Sequence, residues 1–160
     1  MPVTPAPLPD VRFFVDADLL GVGKALAVVR KDVVHPGHRR CPGIHQETPD
    51  SVWLPIVGEA GWIAISRNKR IRYNPVENRL LRQHGVRAIF LTGGRNMTSW
   101  DRLVLLVRHW EAIEASIDEA GPWVKALTRT ARRAQNDGPA RNDMSSRAAI
   151  SHIGPPLASG

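Results

Sequence analysis

Apolar positions follow two different periods along this chain. Val11 to Val15 is a short β-prone run, VRFFV, that ends at Asp16. Leu19 to Val29 carries apolar groups at helical spacing, Leu20 and Ala27 among them, and predicts a helix. Asp32 to His35 reads as a second short strand, broken by Pro36-Gly37 before a polar loop that runs to Gln46. Thr48-Pro49-Asp50 then predicts a helix start, with Thr48 as N-cap and Pro49 in the first helical position. Val52, Trp53, Ile56, Val57 and Ala60 form the apolar stripe of that helix, Pro55 is a candidate kink, and Gly61 is placed to cap its end.

Trp62 to Ile65 follows as a buried strand. Asn74-Pro75 with Glu77 is similar to a capping box, so a helix is expected to His84, stopped by Gly85, with Val86 to Leu91 as the next strand. Thr98 with Asp101 opens the longest predicted helix, Ser99 to Ala120, whose Trp100, Leu103, Val104, Val107, Ile113 and Ile117 lie along one side. Gly121-Pro122 ends it, and Trp123 to Leu127 predicts a last strand. This alternation predicts an α/β fold in three layers, a mainly parallel sheet of four to five strands flanked by helices. Residues 1–10 are expected to be a flexible segment, 11–129 the folded domain, and 130–160 a basic, disordered tail, because the last stretch is rich in Ala, Arg, Ser, Gly and Pro without sustained periodicity.

Charge adds a direction. Against 15 Asp and Glu stand 22 Lys and Arg, a formal +7, and a basic surface favours polyanions such as nucleic acid. No run approaches the ~18 apolar residues that span a bilayer, so a membrane is not expected as a partner. The Pro-rich start does not read as a signal peptide, and one cysteine, Cys41, cannot form an internal disulfide framework, so a cytoplasmic protein is expected.

In an open parallel sheet, ligands collect beyond the carboxyl ends of the strands. Asp16 follows the first strand, Asn68 follows the third, and Asp50 opens a helix at the same edge, with Asp18 two residues past Asp16. Acids gathered there repel one another unless a cation is present, and Mg²⁺ or Mn²⁺ suits two carboxylates and an amide oxygen. The plainer reading makes Asp50 a helix-dipole partner and Asp16 and Asp18 loop acids. Arg39, Arg40, Arg67, Lys69, Arg70 and Arg72 flank the expected crevice and suit RNA phosphates. His35, His38, Cys41 and His45 are zinc-ligand types, but all come from one loop, which reads better as a polar loop. Thr92-Gly93-Gly94 lacks the following Lys-Ser/Thr of a nucleotide loop.

The segment from Asp50 through Gly61 to Ser66-Arg67-Asn68 resembles the late part of a PIN domain of the VapC toxin type, where an Asp opens a helix, a Gly ends it, and a buried strand leads to a Thr-Arg-Asn or Thr-Arg-Asp turn. Phe13-Phe14-Val15-Asp16 matches the strand that carries the family's first Asp, and residues 75–110 are similar to compact PIN-like proteins; together the resemblance covers about 11–128. It implies a metal-dependent endoribonuclease, commonly the toxin of a type II toxin–antitoxin pair, with a cognate antitoxin and a homodimer as partners. By position, Asp16 and Asp50 would be metal carboxylates and Asn68 would stand where the family has Asp or Asn. The interval from Asp16 to Asp50 is shorter than in ordinary VapC toxins, so their additional acid has no counterpart, Glu47 and Asp18 being the nearest. The alternative is a catalytically weak or inactive PIN-like module that binds RNA or protein. A third reading, a phosphatase with Asp16 as nucleophile and Asp18 as general acid, lacks the downstream Lys and paired acids.

Overall fold

Two apolar clusters, one on each face of a single sheet, organise the chain. The computed structural model describes residues 10–67, 69–93, 95–129 and 150–152. The strands are β1 (Phe13–Val15), β2 (Val33–Val34), β3 (Ile63–Ser66), β4 (Arg87–Thr92), β5 (Trp123–Thr128) and β6 (Ile150–His152). Between them run α1 (Leu20–Val29), α2 (Asp50–Ala60), α3 (Pro75–Gln83), α4 (Ser99–Arg108) and α5 (Trp110–Ala115). The sheet order is β2-β1-β3-β4-β5-β6, with the first five strands parallel and β6 antiparallel to β5. This is the expected α/β architecture, and parallel strands buried on both faces explain why β1 and β3 read as continuous apolar runs.

The period of two divides each strand between the clusters. Phe13 and Val15 point into the layer of α1, α4 and α5, beside Val22, Leu26, Leu106 and Ile113. Phe14 points the other way, onto α2 and α3, beside Trp53, Leu54, Val57 and Leu81. Phe13 and Phe14 are both fully buried, each contributing roughly 1.5–3 kcal/mol from area alone. At the amino ends of the strands, Asp32 accepts hydrogen bonds from both Arg12 and Arg30, and Glu114 receives Arg30 from the opposite side, tying β1, α1 and α5 together.

Local signals hold at some element ends and fail at others. Gly61 caps α2 at φ 72°, and Asn74 caps α3 by accepting the Val76 and Glu77 N–H groups. Thr98 and Asp101 form a full capping box on α4. Thr48, in contrast, does not cap α2: Pro49 is the N-cap, and the Thr48 hydroxyl accepts the His45 N–H instead. The single long helix expected from Ser99 to Ala120 is broken at His109 into α4, α5 and a 3-10 turn at Ser116–Asp118. No Gly or Pro marks the break. It re-aims the apolar stripe, so that Trp110 meets Phe13 at 4.9 Å between ring centroids while Trp100 and Val107 stay exposed. Ile150–His152, from the stretch expected to lack regular structure, pairs with Lys125–Leu127. No helix among the described residues is long and apolar enough to cross a membrane.

Candidate active site at the reversal of strand order

β1 and β3 are neighbours, yet the chain leaves them toward opposite faces. α1, which follows β1, packs into one cluster and α3, which follows β3, into the other. Where strand order reverses in this way, a crevice opens beyond the carboxyl ends. Asp16 sits at its floor, only 5% exposed, with its N–H donated to the Ile65 carbonyl at 2.9 Å. The same residue caps the 3-10 turn Ala17–Leu19, accepting the Ala17 N–H on Oδ1 at 2.6 Å, and that turn presents Asp18. From β3, Ser66 reaches across. Its buried hydroxyl lies 2.9 Å from Asp16 Oδ2 and 3.3 Å from Asp18 Oδ2, while the Arg67 N–H donates to Asp18 at 3.0 Å.

One hydroxyl has one proton to donate, and here two carboxylates face it. Burial, followed by the charge of Asp18, pushes Asp16 up to about 7, against the hydrogen bonds from Ser66 and Ala17 and with a smaller contribution from Asp50. Asp18 is raised as well, by burial first and by Asp50 in part, against the Arg67 N–H, Ser66 and the Arg67 charge. Asp50 opens α2 and is steered by Trp53, whose indole N–H donates to Oδ1 at 2.9 Å. Trp53 is itself fixed, buried and tilted against Phe14 at 5.1 Å. Glu77, in the first turn of α3, is raised by burial and then by the Asp50 charge. Four acids from three separate segments therefore share one field.

The structure thus brings Asp16, Asp18 and Asp50 to one edge. Asn68 lies outside the described residues, as do the side chains of Lys69 and Arg72. Glu77 is the acid that sequence reasoning missed, because its place three residues after Asn74 was already accounted for by the start of the helix. Ser66 belongs to the expected turn, and nothing local shows that it faces Asp16. Among the described residues no three acid, His or Cys side chains are grouped closely enough to hold an ion between them, and this includes the His35, His38, Cys41 and His45 loop. The convergent pair is Asp16 with Asp18, and Asp50 and Glu77 act from farther out. That donor set fits a hard divalent cation that keeps several waters and takes one or two carboxylates.

The basic residues divide. Arg67 is exposed beside Asp18, and Arg70 is exposed in the 3-10 turn Lys69–Arg72. Arg39 is exposed in the loop after β2, but Arg40 sends Nη1 to the Lys31 carbonyl, in the turn entering β2 and so at the edge of the sheet away from Asp16. The site falls inside a region with known relatives: residues 11–93 match the family described as PIN like domain. No curated protein and no solved structure matches the chain.

Proposed function

Since the chain belongs to the PIN-like domain family, we propose that it is a divalent-metal-dependent endoribonuclease working from the crevice between β1 and β3. The observation that carries this reading is the pair Asp16 and Asp18, sunk at the carboxyl ends of the strands and joined by one serine hydroxyl. Magnesium or manganese bound there supplies Lewis acidity to a phosphate oxygen and lowers the pKa of a coordinated water. Asp16 and Asp18 would hold the ion, Asp50 and Glu77 would hold its outer waters, and Asn68, two residues after Ser66 in sequence, would position water or phosphate. Ser66 and the Arg67 N–H fix the two carboxylates, and Trp53 fixes Asp50. Arg67 and Arg70, with Lys69 and Arg72 beside them in sequence, would draw the RNA strand by its phosphates. Arg40 leaves that set, being engaged elsewhere.

The resemblance of residues 50–68 to VapC toxins supports the toxin of a toxin–antitoxin pair as the biological setting, with the antitoxin covering the crevice and a second copy of the chain as further partner. The deciding experiment incubates the full chain with single-stranded RNA, with and without Mg²⁺, beside Asp16→Asn and Asp18→Asn. Cleavage that requires the metal and is lost in both variants supports the reading. Cleavage that survives chelation, or either substitution, defeats it. Binding without any cleavage would instead favour the inactive RNA-binding module.

A further inference from the structure

Beside the acids, at the carboxyl ends of β4 and β5, lies a second cavity of about 280 Å³ lined by Arg67, Thr92, Gly93, Arg95, Met97 and Arg102. We infer that this cavity is a phosphate subsite, taking one phosphate of the RNA strand, with its ribose, next to the scissile position. The inference rests on the nuclease reading for its substrate class, but its evidence is separate.

Three arginines line a small space, and among the described residues no salt bridge engages any of them. Two nearby acids act on this group through charge without a salt bridge: Asp18, which takes the Ser66 hydroxyl and the Arg67 N–H, is drawn down by Arg67, and Asp101, which takes the Thr98 N–H and hydroxyl, by Arg129 and Arg102. Elsewhere this protein pairs its clustered arginines, as Arg12 and Arg30 show on Asp32. Three arginines around a hollow, with two acids near them and neither in a salt bridge among the described residues, leave positive charge that a phosphate matches, since a guanidinium fork takes phosphate oxygens in pairs.

The floor is shaped for close approach. Gly93 has φ +107°, a conformation that side-chain-bearing residues rarely adopt, and it packs its bare Cα beside the Arg129 backbone. Thr92 is tied to Thr128, hydroxyl to hydroxyl at 2.6 Å, which holds β4 and β5 level at the rim. Arg67 joins the two sites, donating its N–H to Asp18 and lining the cavity. A strand bound here would run from an anion-binding pocket directly to the acids. The volume lies just below the ~300–1,000 Å³ of ordinary ligand pockets, which suits a single nucleotide unit.

The test uses the full chain in chelator, so that no cleavage occurs, and a fluorescein-labelled short single-stranded RNA of mixed sequence, titrated at several salt concentrations. Arg95→Gln/Arg102→Gln should weaken binding by about tenfold and lower the salt slope by roughly 0.7 for each phosphate that is no longer neutralised. Lys24→Gln/Arg108→Gln, an equal loss of charge at exposed sites on α1 and the far end of α4, should leave the slope near wild type. RNA bearing a 5′-phosphate and RNA bearing a 5′-hydroxyl distinguish the source: weakening only with the former assigns the pocket to a terminal monoester, and weakening with both assigns it to an internal diester. Affinity and slope unchanged in the pocket variant, or lowered equally by the control pair, overturn the inference. Binding is read without metal, so failure of Asp16→Asn to abolish cleavage would strike the nuclease reading alone. Thermal unfolding checks that each variant is folded, and single Arg95→Gln and Arg102→Gln replace the pair if it is not.

Discussion

Replacing Asp16 by Asn should abolish RNA cleavage and, in metal-free buffer, make the protein more stable. Folded, Asp16 keeps a proton until about pH 7, whereas its ordinary value is 3.8. Between those limits the folded state binds the extra proton, so stability falls as pH rises through the window and levels off above it. The width of that gap corresponds to about 4 kcal/mol of penalty at about pH 8, and to none near pH 3. Asn has nearly the same shape, can accept the Ala17 N–H on its oxygen, and can donate to Ser66 through its amide, so the fold loses little. The variant should therefore melt on the order of 10 °C above wild type at about pH 8 in chelator, and at the same temperature as wild type near pH 3. Magnesium should raise the wild-type melting temperature at the higher pH by binding the native state, and should leave the variant unmoved. The measurement is thermal unfolding by circular dichroism across pH, with and without metal. An Asn variant less stable than wild type at about pH 8 in chelator, or a wild-type curve flat from pH 4 to 7, would refute the reasoning.

Three further outcomes are expected. Trp53→Phe keeps the aromatic packing on Phe14 but removes the N–H that steers Asp50; RNA cleavage should fall by about tenfold while the urea midpoint stays close to wild type. Gly58→Ala would place a Cβ 2.5 Å from the His84 carbonyl, forcing α2 away from the turn after α3, and should cost about 1–3 kcal/mol in urea unfolding. Burial pushes the Cys41 thiol up to about 11, so a disulfide reagent at neutral pH should label it only as fast as the protein unfolds, and rapid labelling of native protein would contradict that.

What the chain alone makes legible is whatever one segment decides for itself. The alternation of apolar runs carries the α/β class, and caps such as Gly61, Asn74 and Thr98 are local events with local signatures. Thr48 fails as a cap because its hydroxyl has a competing donor, His45, that helix rules do not weigh. The break at His109 is equally hidden, since no residue there forbids a helix; it is Phe13, distant in sequence, that draws Trp110 aside. The candidate site divides in the same way. Asp16 and Asp50 announce themselves by standing at the ends of elements. Ser66 and Glu77 do not, because their roles depend on β3 pairing with β1 and on α3 standing near Asp50. Arg40 is equivalent to Arg39 in the sequence, and only the fold ties it to Lys31.

The same protein supplies the control that separates a structural acid from a chemical one. Asp32 is as buried as Asp16, and burial alone would raise it too, yet it ends below the ordinary carboxylate range because Arg30 and Arg12 both bind it. Asp16 and Asp18 receive a hydroxyl and backbone N–H groups instead, and among the described residues no guanidinium or ammonium forms a salt bridge with either. Removing one partner from a buried ion pair typically costs ~3–5 kcal/mol, so a fold that can supply two arginines to Asp32 could have compensated Asp16 in the same manner. Arg67 is close by, donates its N–H to Asp18 and lowers that carboxyl through its charge, but among the described residues it forms a salt bridge with neither acid. Among the described residues, Asp16 and Asp18 are thus left without the paired arginines that Asp32 has, and three arginines line the cavity beside them. On the proposed reading, a divalent cation on the acids and a phosphate strand along the arginines would complete that compensation, which a purely structural role for these residues does not call for.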